Sequence, residues 1–206
     1  MTASAGSAGS AVMSRAACSL DKAPERVETA RLVLQRPRLA DAEAIFRTYA
    51  SDLEVTRYLG WPRHVSVEQT RAFLSFSDAE WSRWPAGPYL VFLADQTLIG
   101  STGLAFEAPD CAVTGYVFAK FAWGRGYATE ALHGMVDIAQ ACGARALYAL
   151  CHVDHRPSAH VLEKCGFASE GIVRRYAEFP NLSPGVRSDV LKYSRALAPQ
   201  TTSEGK

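Results

Sequence analysis

The chain has 206 residues, 22 basic and 21 acidic side chains, and a formal net charge of +1. That length suits one domain of ordinary size, and a composition 48% hydrophobic and 21% charged supplies a core and excludes global disorder. The even charge balance gives no dominant field for nucleic acid, and no apolar run approaches the roughly 20 residues that span a bilayer.

Residues 1–26 read as a flexible leader: small residues alternate with Ser and Gly, without a basic stretch ahead of an apolar one, and Met13 is a second candidate start. Residues 27–198 read as a single domain and 199–206 as a polar, flexible tail. The alternation of residues 31–36 predicts a strand ended by Pro37. Residues 40–50 predict a helix with Ala42, Ile45, Phe46 and Tyr49 on one face, with 52–59 as a short continuation. Ser66 with Gln69 has the spacing of a capping box, opening a helix to about Trp84 that Pro85 stops. Residues 89–94, 98–106 and 112–118 predict an antiparallel meander. A helix to Cys142 follows the turn at 124–126; Ala128, Ala131, Leu132, Met135 and Ala139 form its apolar stripe, and Gly143 ends it. A strand at 146–153, a short helix at 158–165 closed by Gly166, and strands at 167–176 and 188–197 complete a mixed α/β sheet with helices on both faces.

The five cysteines, Cys18, Cys111, Cys142, Cys151 and Cys165, are odd in number, widely spaced and without CxxC. They predict reduced thiols in a cytoplasmic protein rather than a disulfide framework or a zinc ribbon. His152 and His155 lack a third ligand, so no metal site is expected.

Residues 121–131, FAWGRGYATEA, place Gly124 and Gly126 between a strand and a helix. The glycines allow close backbone approach, the first-turn N–H groups and the helix dipole favour an anion, and Arg125 adds a full charge. A pyrophosphate fits such a turn; a plain connection is the alternative. The pattern lacks the Gly-Lys-Ser/Thr of a P-loop and follows no early strand as a dinucleotide fingerprint would. Downstream, residues 154–167 open a helix near Ser158 and close it at Gly166, which by itself is ordinary helix capping.

WGRGYATEAL resembles the acyl-CoA-binding turn of the GCN5-related N-acetyltransferases (GNAT), with Gly126 and Ala128 at matching places and Trp123 as in the ribosomal-protein N-terminal acetyltransferase branch. HRPSAHVLEKCGF is similar to that branch's Asn-x-x-Ser…Glu-Lys-x-Gly-Phe motif, TARLVLQRPRLADAEAIF to its first strand and helix, and LIGSTGL to its third strand. His155 stands where the family has Asn, Leu162 where other branches carry an acidic-proton Tyr, and no Glu accompanies Gly115-Tyr116.

The resemblance implies the GNAT fold, a mostly antiparallel sheet in which two parallel strands, 112–118 and 146–153, splay around the pantetheine arm of acetyl-CoA. It implies that backbone groups of Val117, Phe118 and Ala119 bind that arm. The turn formed by Gly124, Arg125, Gly126, Tyr127, Ala128 and Thr129 would hold the pyrophosphate, with His155 and Ser158 beside the cofactor. Ser158 would face the leaving thiolate, and Glu178 would be the base, from the likeness of residues 170–179 to the branch's Glu-Gly…Ala-Glu stretch. The implied activity is direct acetyl transfer to a primary amine, foremost a protein N-terminus, with acidic Asp52, Glu54, Glu68 and Glu178 available to a basic acceptor. Alternatives are acetylation of a small amine (antibiotic, polyamine or amino acid), a non-catalytic acyl-CoA-binding module, and a plain nucleotide-binding domain. Trp61, Trp81 and Trp84 could shape the acceptor pocket. No metal, nucleic acid or membrane partner is implied, and the chain would be a monomer or homodimer.

Overall fold

A computed structural model describes residues 22–198. The strands are β1 (Arg26–Glu28), β2 (Leu32–Gln35), β3 (Pro88–Leu93), β4 (Leu98–Ala108), β5 (Cys111–Phe118), β6 (Ala146–His152), β7 (Ala168–Glu178) and β8 (Arg187–Ala196). They form one sheet in the order β1-β2-β3-β4-β5-β6-β8-β7, antiparallel except between β5 and β6. The expected meander is β3-β4-β5. The parallel pair is bonded only from Cys111–Ala146 to Val113–Tyr148 and then opens.

Successive β3 residues point to opposite faces, as the two-residue strand period requires. Tyr89 and Val91 join a core under α3 (Tyr127–Ala141) and α4 (Arg156–Lys164). Leu90 joins a second core with Ala42, Ile45, Tyr49 and Leu74. That second core is covered by α1 (Ala42–Ile45) and α2 (Val67–Arg83). The helix expected over 40–50 is irregular: a 3-10 turn at Leu39–Asp41, then α1, then a π-helical turn at Phe46–Ala50.

Several expectations are corrected. The leader does not extend to Arg26, because Arg26 starts β1 and the residues before it are docked: Ala23 N–H donates to the Pro85 carbonyl (2.8 Å), the Tyr89 hydroxyl to the Pro24 carbonyl (2.8 Å) and Arg36 N–H to the Glu25 carbonyl (2.7 Å). The leader proper and the tail from 199 lie outside the described residues. Residues 52–59 form turns rather than a helix; the Asp52 carboxylate accepts the N–H groups of Glu54 and Val55. At α2 the Ser66 side chain does not cap, and the Gln69 amide instead accepts the Val65 N–H at 2.7 Å. No helix among the described residues is long and apolar enough to cross a membrane.

Candidate active site

Where β5 and β6 part, a cavity of about 870 Å³ opens. Its floor holds a polar cluster. The Tyr116 hydroxyl lies 3.0 Å from Ser158 Oγ and 3.1 Å from the Ser158 carbonyl. The Cys151 thiol lies beside the Ser158 hydroxyl, which works against burial on its pKa. Burial pushes the Tyr116 phenol up and the Cys151 thiol up to about 11, so both keep their protons at neutral pH. Ser158 is the third residue of α4, which starts at Arg156 with Pro157 in its first turn, a place where the fixed ring suits the helix. Leu162, one turn on, is buried. Tyr116 from β5 sets a phenol beside Ser158, a meeting that no sequence signal ties to α4.

Of the three backbone N–H groups expected to serve the cofactor's arm, two are turned away. Ala119 N–H donates to the Ile99 carbonyl at 2.8 Å, and the two-residue period puts that of Val117 on the same side, toward β4. By the same alternation Phe118 N–H points away from β4, while the Trp123 indole donates to the Phe118 carbonyl at 2.7 Å. Beyond β5, Gly124 and Gly126 adopt φ +73° and +78°, the left-handed region that favours glycine. Gly126 is the N-cap of α3, and the first intrahelical bond runs from Glu130 N–H to the Gly126 carbonyl, so the N–H groups of Tyr127, Ala128 and Thr129 have no partner within the helix. Among the described residues, chain neighbours aside, a Cβ at Gly124 would meet nothing within 4 Å, and one at Gly126 only Arg31 at 3.5 Å. This open cradle with unpaired donors fits the pyrophosphate of a CoA thioester.

A brace invisible in the sequence holds the turn. Glu130, in the first turn of α3, accepts hydrogen bonds from the Thr29 hydroxyl (2.6 Å), Arg31 N–H (2.7 Å) and Arg31 Nε (2.6 Å). Arg31 Nη1 donates to the Arg125 carbonyl at 3.0 Å, and its guanidinium lies over the Tyr127 ring. Burial works to raise the Glu130 pKa, but these bonds outweigh it and hold the carboxyl below its ordinary value. The Arg125 side chain is exposed at the turn.

The opposite wall is aromatic. Tyr58 stacks on His155 with centroids 4.6 Å apart, and Trp61 packs against His64 at 5.0 Å. Desolvation, helped by nearby His152, holds His155 below its ordinary pKa, which keeps the imidazole neutral. Asn181, in the β7–β8 connection, pins this loop: its side chain accepts the Arg63 N–H and donates to the carbonyls of Thr56 and Trp61 at 2.7, 2.8 and 2.9 Å. Glu178 is not brought to the cavity. Ala177 and Phe179 line it, so strand alternation sends the carboxylate between them outward, where it is exposed. Nor do the other carboxylates face inward: Glu54 pairs with Lys120 and Glu68 with Arg71. Trp61 lines the cavity, but Trp81 is buried against Tyr89 and Trp84 stacks on Phe106, away from it. Among the described residues no group of three or more His, Cys, Asp or Glu is gathered to hold a metal ion.

Residues 31–168 match the acetyltransferase (GNAT) domain family. The chain is 32% identical over 154 residues to the N-acetyltransferase YoaA of Bacillus subtilis, spanning 73% of this chain and 86% of that protein. Among solved structures it is similar to the ribosomal-protein alpha-N-acetyltransferase RimL in complex with coenzyme A (TM-score 0.73, 23% identity, 84% of this chain and 98% of that one). It is also similar to the microcin self-immunity acetyltransferase MccE in complex with acetyl-CoA and AMP (TM-score 0.76, 19% identity, 85% and 98%). The chain belongs to the GNAT family of N-acetyltransferases.

Proposed function

We propose that this GNAT N-acetyltransferase moves the acetyl group of acetyl-CoA directly to a primary amine, foremost the N-terminal amine of a protein or peptide. The observation that carries this reading is the opening between β5 and β6, a cavity lined by the Tyr116–Ser158 pair and by the rings of Tyr58 and Trp61. The amine nitrogen attacks the thioester carbonyl carbon; the C–N bond forms as the C–S bond breaks. Phe118 N–H points where it can stabilise the developing oxyanion. Ser158, backed by the Tyr116 phenol, gives the departing thiolate its proton. With Glu178 outside the cavity, His155 is a neutral group in its lining able to take the proton that the attacking nitrogen sheds as the amide forms. The pyrophosphate sits on the first-turn N–H groups of α3 and the turn at Gly124, Arg125 and Gly126.

RimL, named as a ribosomal alpha-N-protein acetyltransferase, supports a protein N-terminus as the acceptor. The test is CoA thiol release across peptides beginning with Ala, Ser or Met, compared with polyamines and antibiotic amines. Turnover of the peptides is expected. Turnover of the small amines alone would replace this acceptor, and CoA binding without turnover of any amine would make the chain an acyl-CoA-binding module.

A further inference from the structure

The cavity wall carries no formal charge: among the described residues that line it there is no Asp, Glu, Lys or Arg. Carboxylates close in sequence to the mouth are engaged elsewhere: Asp52 with backbone N–H groups, Glu54 with Lys120, Glu68 with Arg71 and Asp78 with Arg36. What lines the mouth is Tyr58, Trp61, His64, Phe73 and Phe76, and Phe76 remains 56% exposed at the rim. Desolvation holds His64 below its ordinary pKa, and its Nδ1 is spent on the Thr70 hydroxyl at 2.8 Å. A polar group inside also lacks a partner. Tyr49 is 2% exposed and lines the cavity, and its hydroxyl, although beside Ser101, makes no hydrogen bond of good geometry.

From this lining we propose that the acceptor is the α-amine of a peptide whose first residue is apolar or aromatic, and that polycations and lysine-type amines are rejected. The inference rests on the acetyl-transfer reading above and narrows its acceptor. An uncharged cavity takes up the neutral amine, because a cation there would lose its water without gaining a counter-charge. At pH 7.5 an α-amine with a pKa of about 7.8 is roughly one-third neutral, whereas an ε-amine near 10.4 is neutral to only about one part in a thousand, a difference of roughly 250-fold. Polyamines and aminoglycosides would bring several charges to a wall with none to answer them. The aromatic mouth suits an apolar first side chain. The Tyr49 hydroxyl supplies a buried donor with no protein acceptor, which a peptide carbonyl next to the α-amine can satisfy.

The experiment measures thiol release by the full chain at pH 7.5 with acetyl-CoA and four acceptors: a Phe-first tetrapeptide amide, an Asp-first one, an Nα-acetylated lysine peptide and spermidine. The expected kcat/KM for the Phe-first peptide exceeds that of the Asp-first one at least tenfold and those of the ε-amine and spermidine at least a hundredfold. Trp61→Ala should shrink the Phe-over-Asp preference while leaving KM for acetyl-CoA within about twofold. Tyr49→Phe should raise KM for the peptide and not for acetyl-CoA. Equal or better use of spermidine or of the ε-amine overturns the inference while leaving the enzyme an N-acetyltransferase. CoA binding by calorimetry separates the two levels: CoA bound without turnover of either α-amine peptide sinks the acceptor class alone, and absence of CoA binding sinks the acetyl-transfer reading with it.

Discussion

A Gly126→Ala substitution puts a methyl group at φ +78°, where, its chain neighbours aside, the one atom of the described residues within 4 Å is an Arg31 guanidinium nitrogen at 3.5 Å. No clash opposes the new group, so the cost to the fold is conformational. A left-handed backbone costs an L-residue roughly 1–2 kcal/mol, partly offset by about 0.4–1 kcal/mol from the stiffer unfolded chain. The net, about 1 kcal/mol, lowers Tm by only about 2–4 °C in a domain of this size. The cost to CoA binding is larger. The residue caps α3 and aims its first-turn donors, and one charge-assisted hydrogen bond to a pyrophosphate is worth about 1.5–3 kcal/mol, or roughly a ten- to hundredfold rise in Kd. Gly185→Ala is the matched control: it has φ +74°, nothing within 4 Å of a new Cβ, and a place in the β7–β8 connection. It should show the same small drop in Tm with unchanged CoA affinity. Calorimetry with CoA and thermal melts on both variants decide the matter. A folded Gly126→Ala protein whose Kd for CoA stays within twofold of wild type would refute the assignment of this turn to the pyrophosphate.

Ser158→Ala and Tyr116→Phe should each lower kcat by roughly tenfold or more with little change in KM for acetyl-CoA, since general-acid help is typically worth about 10²–10⁴-fold; a double variant no worse than either single one would mark a shared proton path. A chain beginning at Lys22 should melt like the full chain, whereas one beginning at Val27 strips the Tyr89 hydroxyl of its acceptor, which at about 1–3 kcal/mol predicts a Tm several degrees lower; equal melts for both would show that residues 22–26 contribute nothing. For Glu130 the folded-state pKa lies below the ordinary glutamate value of 4.5, so its contribution is present above that pH and is lost as pH falls through the folded-state value. The stability gap between wild type and Glu130→Gln should therefore be full at pH 7 and close progressively below about pH 4.5, as denaturant titrations at several pH values would reveal.

Sequence alone was enough to establish the class of fold, the strands from β2 onward and the turn at Gly124–Gly126, because these rest on local facts. Two-residue alternation marks a strand, a 3.6-residue stripe marks a helix, and glycines before that stripe mark the left-handed turn that begins α3. Local pattern failed where the signal was short or polar. Three residues of β1 carry no alternation to read, and Asp52 and Gln69 put their side chains to uses their spacing does not specify. The site's chemistry was decided by pairings across the fold. Tyr116 meets Ser158 across 42 residues, Glu130 grips Arg31 across 99, and Asn181 ties down the Trp61 loop across 120. Glu178 has a plausible place in the chain, but a one-residue alternation on β7 turns it outward while Ala177 and Phe179 face the cavity. The partners of a side chain depend on sheet order and strand register, and those are set by burial over the whole molecule rather than by any neighbouring residue.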